Sequence, residues 1–227
     1  MESLSMTDRT ELERKLSKEI AKEFGVEMKK IIDLLGNPPR IENVPESFWN
    51  ENGERLREMI EPLMLDAYMT GSEAEVEKAG IGIDWGLVNG RAVSFAQNYL
   101  YDQIKDINAT SRNTVRQAIS DYYDKDMTRE MLEARLRGTF GVVRSEMIAI
   151  TEVTRATVEG EYASQQEILS ANPYLKCTET WITSVDERVC IVCGGRHGKK
   201  KGDGWIKPPP AHPRCRCDIK FYYEVIP

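Results

Sequence analysis

Histidine is scarce in this 227-residue chain: His197 and His212 are the whole complement. Neither has a pair of carboxylates beside it in sequence, so the usual means of general-base or two-metal hydrolysis are thin. No apolar run approaches the roughly 18 to 20 residues of a membrane span, and the acidic segment 1–11 does not resemble a signal peptide. Synthesis in the cytosol is therefore expected. Segment 80–90 is rich in glycine, yet no G-K-[ST] follows it and no strand precedes it, which excludes a phosphate-binding loop. There is no internal repeat and no extended low-complexity tract.

What is present describes a soluble globular protein of one or two domains, with 41% hydrophobic and 30% charged residues. The formal charge of −6 is unevenly spread. Segment 188–220 holds nine Lys/Arg against Asp203 and Asp218, a local +7, so the remainder carries −13. A basic lobe on an acidic body fits contact with a polyanion or an acidic protein face; solubility of an exposed loop would explain it equally.

The cysteines concentrate the chemistry. Cys190 and Cys193 form a C-x2-C pair, and His212, Cys215 and Cys217 an H-x2-C-x-C cluster; four of the five cysteines lie within 28 positions. A tetrahedral zinc needs four such ligands, and a C-x2-C turn can grip two of its corners. The favoured set is Cys190, Cys193, His212 and Cys215, with Cys217 the substitute for one of them. Four protein ligands leave no open position for a substrate water, so the metal is expected to be structural Zn2+. The odd cysteine total and the absence of a secretory signal make a disulfide framework less economical. Segment 194–210, between the clusters, is too polar and Gly/Pro-rich to build a core of its own, and Cys177 reads as a small core residue.

Apolar spacing predicts helices over 7–35 (capped by Thr7, Asp8 and Glu11), 47–69, 91–107, 111–123, 128–136 and 142–170. Gly71-Ser72 is expected to break the second, leaving a helical turn at 73–78, and Gly138 to end the fifth. Segment 80–90 is expected to be a loop whose Ile83, Trp85 and Leu87 plug into the helices. In 142–170, Val143, Met147, Ile150, Val153, Val158, Tyr162 and Ile168 hold core positions. Glu152 and Arg155 form either a surface ion pair or part of a polar network docking the metal lobe. The period then changes to two, predicting strands over 176–184 and 217–225 that pair as an antiparallel sheet, with zinc pinning the insert outside it. The fold class is mainly α with a small C-terminal α+β module: a helical body plus a short antiparallel sheet stapled by a zinc site. The division expected is a helical N-terminal region, 1–125, and a C-terminal module, 126–227.

Three groups of residues carry a family likeness. Ile150-Thr151-Glu152-Val153-Thr154-Arg155-Ala156 is followed by Trp181-Ile182-Thr183 with Asp186-Glu187-Arg188-Val189-Cys190 and Cys193, and then by Pro210-Ala211-His212-Pro213-Arg214-Cys215-Arg216-Cys217. In that order, over about the last hundred residues, they resemble the phage Mu F-like head morphogenesis proteins, also called minor head or minor capsid proteins. The resemblance implies a non-enzymatic protein of the virion, made in the host cytoplasm. It would associate with the portal protein at the portal vertex, and with the major capsid or scaffold protein, in head assembly and DNA packaging or delivery. Some members carry further domains after the shared module; ending at Pro227, this chain looks like the short form. Residues 1–125 carry no motif of the family. Packaged DNA would be met without sequence preference by Lys199, Lys200, Lys201, Lys207, Arg214 and Arg216. The rival reading is a zinc-scaffolded, metal-dependent nuclease with His197 as base. A free DNA-binding regulator would need a recognition helix that the insert lacks.

Overall fold

A computed structural model describes residues 4–183 and 189–226; the Asp186-Glu187-Arg188 turn lies outside them. The elements run α1 (Leu4–Leu35), a 3-10 turn (Ile41–Asn43), α2 (Glu46–Ala79), α3 (Trp85–Asp124), α4 (Arg129–Thr139), α5 (Val142–Ala171), β1 (Leu175–Ile182), a single turn α6 (Ile191–Gly194) and β2 (Asp218–Val225). The expected class holds: a mainly helical molecule with one two-stranded antiparallel sheet. Among the described residues no helix is long and apolar enough to cross a membrane.

In α1 Leu12, Leu16, Ile20, Phe24, Ile31 and Leu35 are buried, facing α2 and α5, while Met28 and Ile32, expected in the same stripe, are partly buried. The helix starts at Leu4, one turn ahead of the expected cap at Thr7. Gly71-Ser72 does not break α2, which continues to Ala79 and ends on left-handed Gly80 (φ 65°). The pair serves a close crossing instead. A Cβ on Gly71 would fall 2.0 Å from the Thr157 carbonyl oxygen, and one on Gly160 of α5 would fall 1.9 Å from that of Tyr68. Only glycine lets the backbones approach so far. The seam is then closed by Ser72 Oγ donating to Gly160 O (3.0 Å) and Ser164 Oγ donating to Ser72 O (3.0 Å).

The loop expected over 80–90 is only its first half, because Asp84 caps α3 by accepting from Gly86 N at 2.8 Å. Ile83 packs against the core as expected, but Trp85 and Leu87 are exposed and Val88 is the residue that plugs in. The helices predicted over 91–107 and 111–123 are one, α3, since Val88, Ala92, Ala96, Leu100, Ile104, Ser111 and Val115 keep a helical stripe across the polar interval. Thr128 caps α4 as predicted, accepting from Met131 N, and the helix passes Gly138 to end at Thr139. Helix α5 is the spine. Ala149, Val153, Ala156 and Ala163 join the core of the helical body, while Val158 and Tyr162 pack in a second cluster against the sheet. Val143, expected in the core, is exposed at the start of α5.

Strands β1 and β2 pair in register from Leu175↔Val225 to Ile182↔Asp218. Ile219 and Phe221 of β2 are buried with Trp181 of β1 against Val158, and Cys177 sits partly buried at the edge of this cluster. Tyr223 OH donates to Glu75 of α2 at 2.7 Å, tying β2 to the helical body.

Candidate metal centre

Cys190 caps the α6 turn, its Sγ accepting from Cys193 N at 3.3 Å, which brings both sulfurs of the C-x2-C pair to one side. His212 arrives from the second cluster with Nε2 at 3.1 Å from Cys190 Sγ and 3.2 Å from Cys193 Sγ. Its Nδ1 lies 2.8 Å from the Pro213 carbonyl, which can only accept. Nδ1 therefore carries a proton, and in the neutral ring the Nε2 lone pair faces the two sulfurs, the arrangement of a metal-binding imidazole. Cys193 and Cys215 sulfurs are 3.8 Å apart. Thiolates about 2.3 Å from a tetrahedral zinc lie about 3.8 Å from each other, so this edge is already of the right length.

The five predicted ligands gather as two overlapping groups, Cys190/Cys193/His212 and Cys193/Cys215/Cys217, and either can hold a metal ion. Cys193 belongs to both. Cys193, Cys215 and Cys217 are buried, while Cys190 and His212 are partly exposed. Electrostatics separates the last two cysteines. Donation from the Cys217 thiol, opposed by burial, holds the Cys215 thiol below its ordinary range; the same bond, with burial, pushes Cys217 up. Donation from the Cys193 N–H lowers Cys190. Within each group the donor types and spacing fit a soft or borderline cation, and the two groups meet only at Cys193, so Cys215 is not brought to the same distance from Cys190 and His212.

The insert is more ordered than its composition predicts. It lies along the outer edge of β1, opposite β2, with Trp181 N donating to Lys199 O (3.0 Å), Gly198 N to Trp181 O (2.9 Å) and Lys201 N to Glu179 O (3.0 Å). Trp205 is buried edge-on to Trp181, ring centroids 5.5 Å apart, and its Nε1 donates to Lys199 O at 2.8 Å. The insert therefore shares the sheet's core through one indole, a residue the sequence reading passed over.

A polar network does dock this lobe on the helices, but Glu152 and Arg155 are not its members. Those two form an ion pair at 3.7 Å, and Glu152 also accepts from Tyr99 OH at 2.6 Å. Docking falls to their neighbours. Thr154 Oγ1 donates to Cys215 O (2.7 Å), and Thr151 Oγ1 accepts from Arg214 N (3.0 Å). Arg214 sits in the left-handed region (φ 62°), a strained conformation that this docking holds in place. From α1, Arg9 Nη2 donates to Thr154 Oγ1 (2.5 Å) and reaches Cys217 O (3.5 Å). Glu13, with 6% of its side chain exposed, accepts two bonds from Arg216 at 2.8–2.9 Å. Arg9 and Glu13 lie 145 to 208 residues from their partners and carry no local signal.

The six candidate DNA contacts divide. Arg216 is held by Glu13, Arg214 by Glu146 at 3.3 Å and Lys201 by Glu179 at 2.9 Å, whereas Lys199, Lys200 and Lys207 are exposed. His197, the rival reading's base, accepts at Nδ1 from Thr183 N (3.1 Å).

Neither a curated protein nor a solved structure matches the chain. A family model described as Phage Mu protein F like protein matches residues 102–220, a little over half of it, and spans the α5 motif, β1, both cysteine clusters and the start of β2. By that match the chain belongs to the phage Mu F-like family of head morphogenesis proteins.

Proposed function

We propose that this is a non-enzymatic minor head protein, carried in the virion after assembly in the host cytoplasm, that joins the portal vertex and acts in head assembly and in packaging or delivery of DNA. The family match carries the reading. Its metal is structural zinc, held by Cys190, Cys193, His212 and Cys215, with Cys217 the hydrogen-bonding neighbour that favours the Cys215 thiolate. Four protein ligands close the coordination sphere, so the ion contributes folding free energy and no bound water. Portal protein, and major capsid or scaffold protein, are the expected partners. Any contact with packaged DNA falls to Lys199, Lys200 and Lys207, the three of the six candidate cations that have no carboxylate partner among the described residues.

The nuclease reading gains no support from the site: neither ligand group contains a carboxylate, and His197 Nδ1 is occupied by Thr183 N–H. The test is to express the protein with the portal and capsid proteins of its own phage and to sediment the proheads. Co-sedimentation that requires the portal is expected. Recovery only in the soluble fraction, with heads that assemble and package normally without the protein, would overturn the proposal.

A further inference from the structure

A cleft of about 510 Å3 opens between the start of α2 and the middle of α3. Its apolar lining is the exposed ring of Tyr101, with Trp49 and Ile104 buried behind it. Gly53 makes the cleft's floor, since a Cβ there would fall 2.8 Å from Asn108 Nδ2, which donates to Trp49 O at 3.0 Å.

The lining charge opposes that of the body around it. Arg57, Lys105, Arg112 and Arg116 face Glu46 and Glu54, an excess of two positive charges. Glu46 is already spent, clasped by Arg112 at 2.6–2.9 Å, and Arg57 leans on Glu61 at 3.5 Å. Lys105 and Arg116, one on either side of Arg112 on α3, are exposed and have no carboxylate partner among the described residues. Two lining side chains also keep buried polar atoms without a partner: Asn108 Oδ1, an acceptor, and Arg112 Nε, a donor.

We propose that this cleft binds an acidic peptide segment of a partner protein, with a large apolar side chain packed on the Tyr101 ring and carboxylates meeting Lys105 and Arg116. Free cations around an apolar seat give such a segment both its anchor and its orientation. The site is independent of the metal lobe and holds whether or not that lobe binds zinc.

The test is selection of a random-peptide library on the full chain. Enriched peptides should carry Asp or Glu beside a Leu, Phe or Trp. Their affinity should fall at least about tenfold for the Lys105→Glu/Arg116→Glu variant and stay within about twofold for Lys199→Glu/Lys207→Glu, which changes net charge equally. Circular dichroism confirms that both variants fold. Enrichment of no acidic class, equal loss in both variants, or full competition by oligothymidylate would each overturn the assignment; the last would mark a general polyanion site.

Discussion

Replacing Gly160 with alanine tests whether the α2–α5 crossing carries the fold. The new Cβ would lie 1.9 Å from Tyr68 O, 2.8 Å from Tyr68 C and 3.0 Å from Ser72 N, all backbone atoms of a buried helix. To reach ordinary contact near 3.4 Å the helices must part by about 1.5 Å. Strain of that kind costs about 1–3 kcal/mol, and the Ser72–Gly160 and Ser164–Ser72 bonds, about 1 kcal/mol each, are stretched with it. Against this, alanine is the better helix former by about 1 kcal/mol. The net expectation is a loss of about 2–4 kcal/mol in urea unfolding followed by circular dichroism. Gly25→Ala is the control: no atom lies within 4 Å of its Cβ, so only the propensity term applies, a gain of roughly 0.5–1 kcal/mol. If Gly160→Ala were neutral or gained stability as Gly25→Ala does, the close approach would be wrong.

Three further outcomes follow from the same contacts. Arg216→Ala strands the Glu13 carboxylate and should cost about 3 kcal/mol in urea unfolding, whereas Arg216→Met with Glu13→Leu should cost clearly less; equal losses would refute the pairing. Glu27 is fully buried with both carboxyl oxygens unpartnered, and burial pushes its pKa from 4.5 up to about 7, partly offset by Arg144. The folded chain then keeps a proton that the unfolded chain has lost, so this residue's contribution falls as pH rises from 4.5 to about 7 and levels off above. Glu27→Gln should therefore gain on the native chain across that window, by up to about 3 kcal/mol near pH 8; a pH-independent difference would contradict it. Cys193→Ser should abolish metal retention, since Cys193 belongs to both ligand groups, while Cys177→Ser should leave it unchanged, as metal analysis after dialysis would show.

The sequence made the helical stripes legible because burial repeats at three and four residues, and the strands because it then repeats at two. Boundaries failed where glycine or a polar interval had a tertiary purpose: Gly71 looks like a breaker until Gly160 is seen across from it. The Cys/His groups that could hold a metal were readable because chelation needs short, fixed spacings. The docking network was half readable: Thr151 and Thr154 stand in the motif that carries the family likeness, but Arg9 and Glu13 act over the whole length of the chain. Trp205 was hidden by its polar surroundings. The basic segment showed its charge but not its pairing: of the six candidate contacts Arg214 and Arg216 pair with carboxylates of the helices and Lys201 with Glu179 of β1.

The claim on which the account turns is that one metal ion joins the two cysteine clusters and so holds the lobe on α5. Elemental analysis of the chain purified under reducing conditions, followed by thermal unfolding with and without a chelator, tests it most directly. One zinc per chain is expected, with a chelator lowering the unfolding temperature. Metal-free protein that is fully folded and indifferent to the chelator would contradict it.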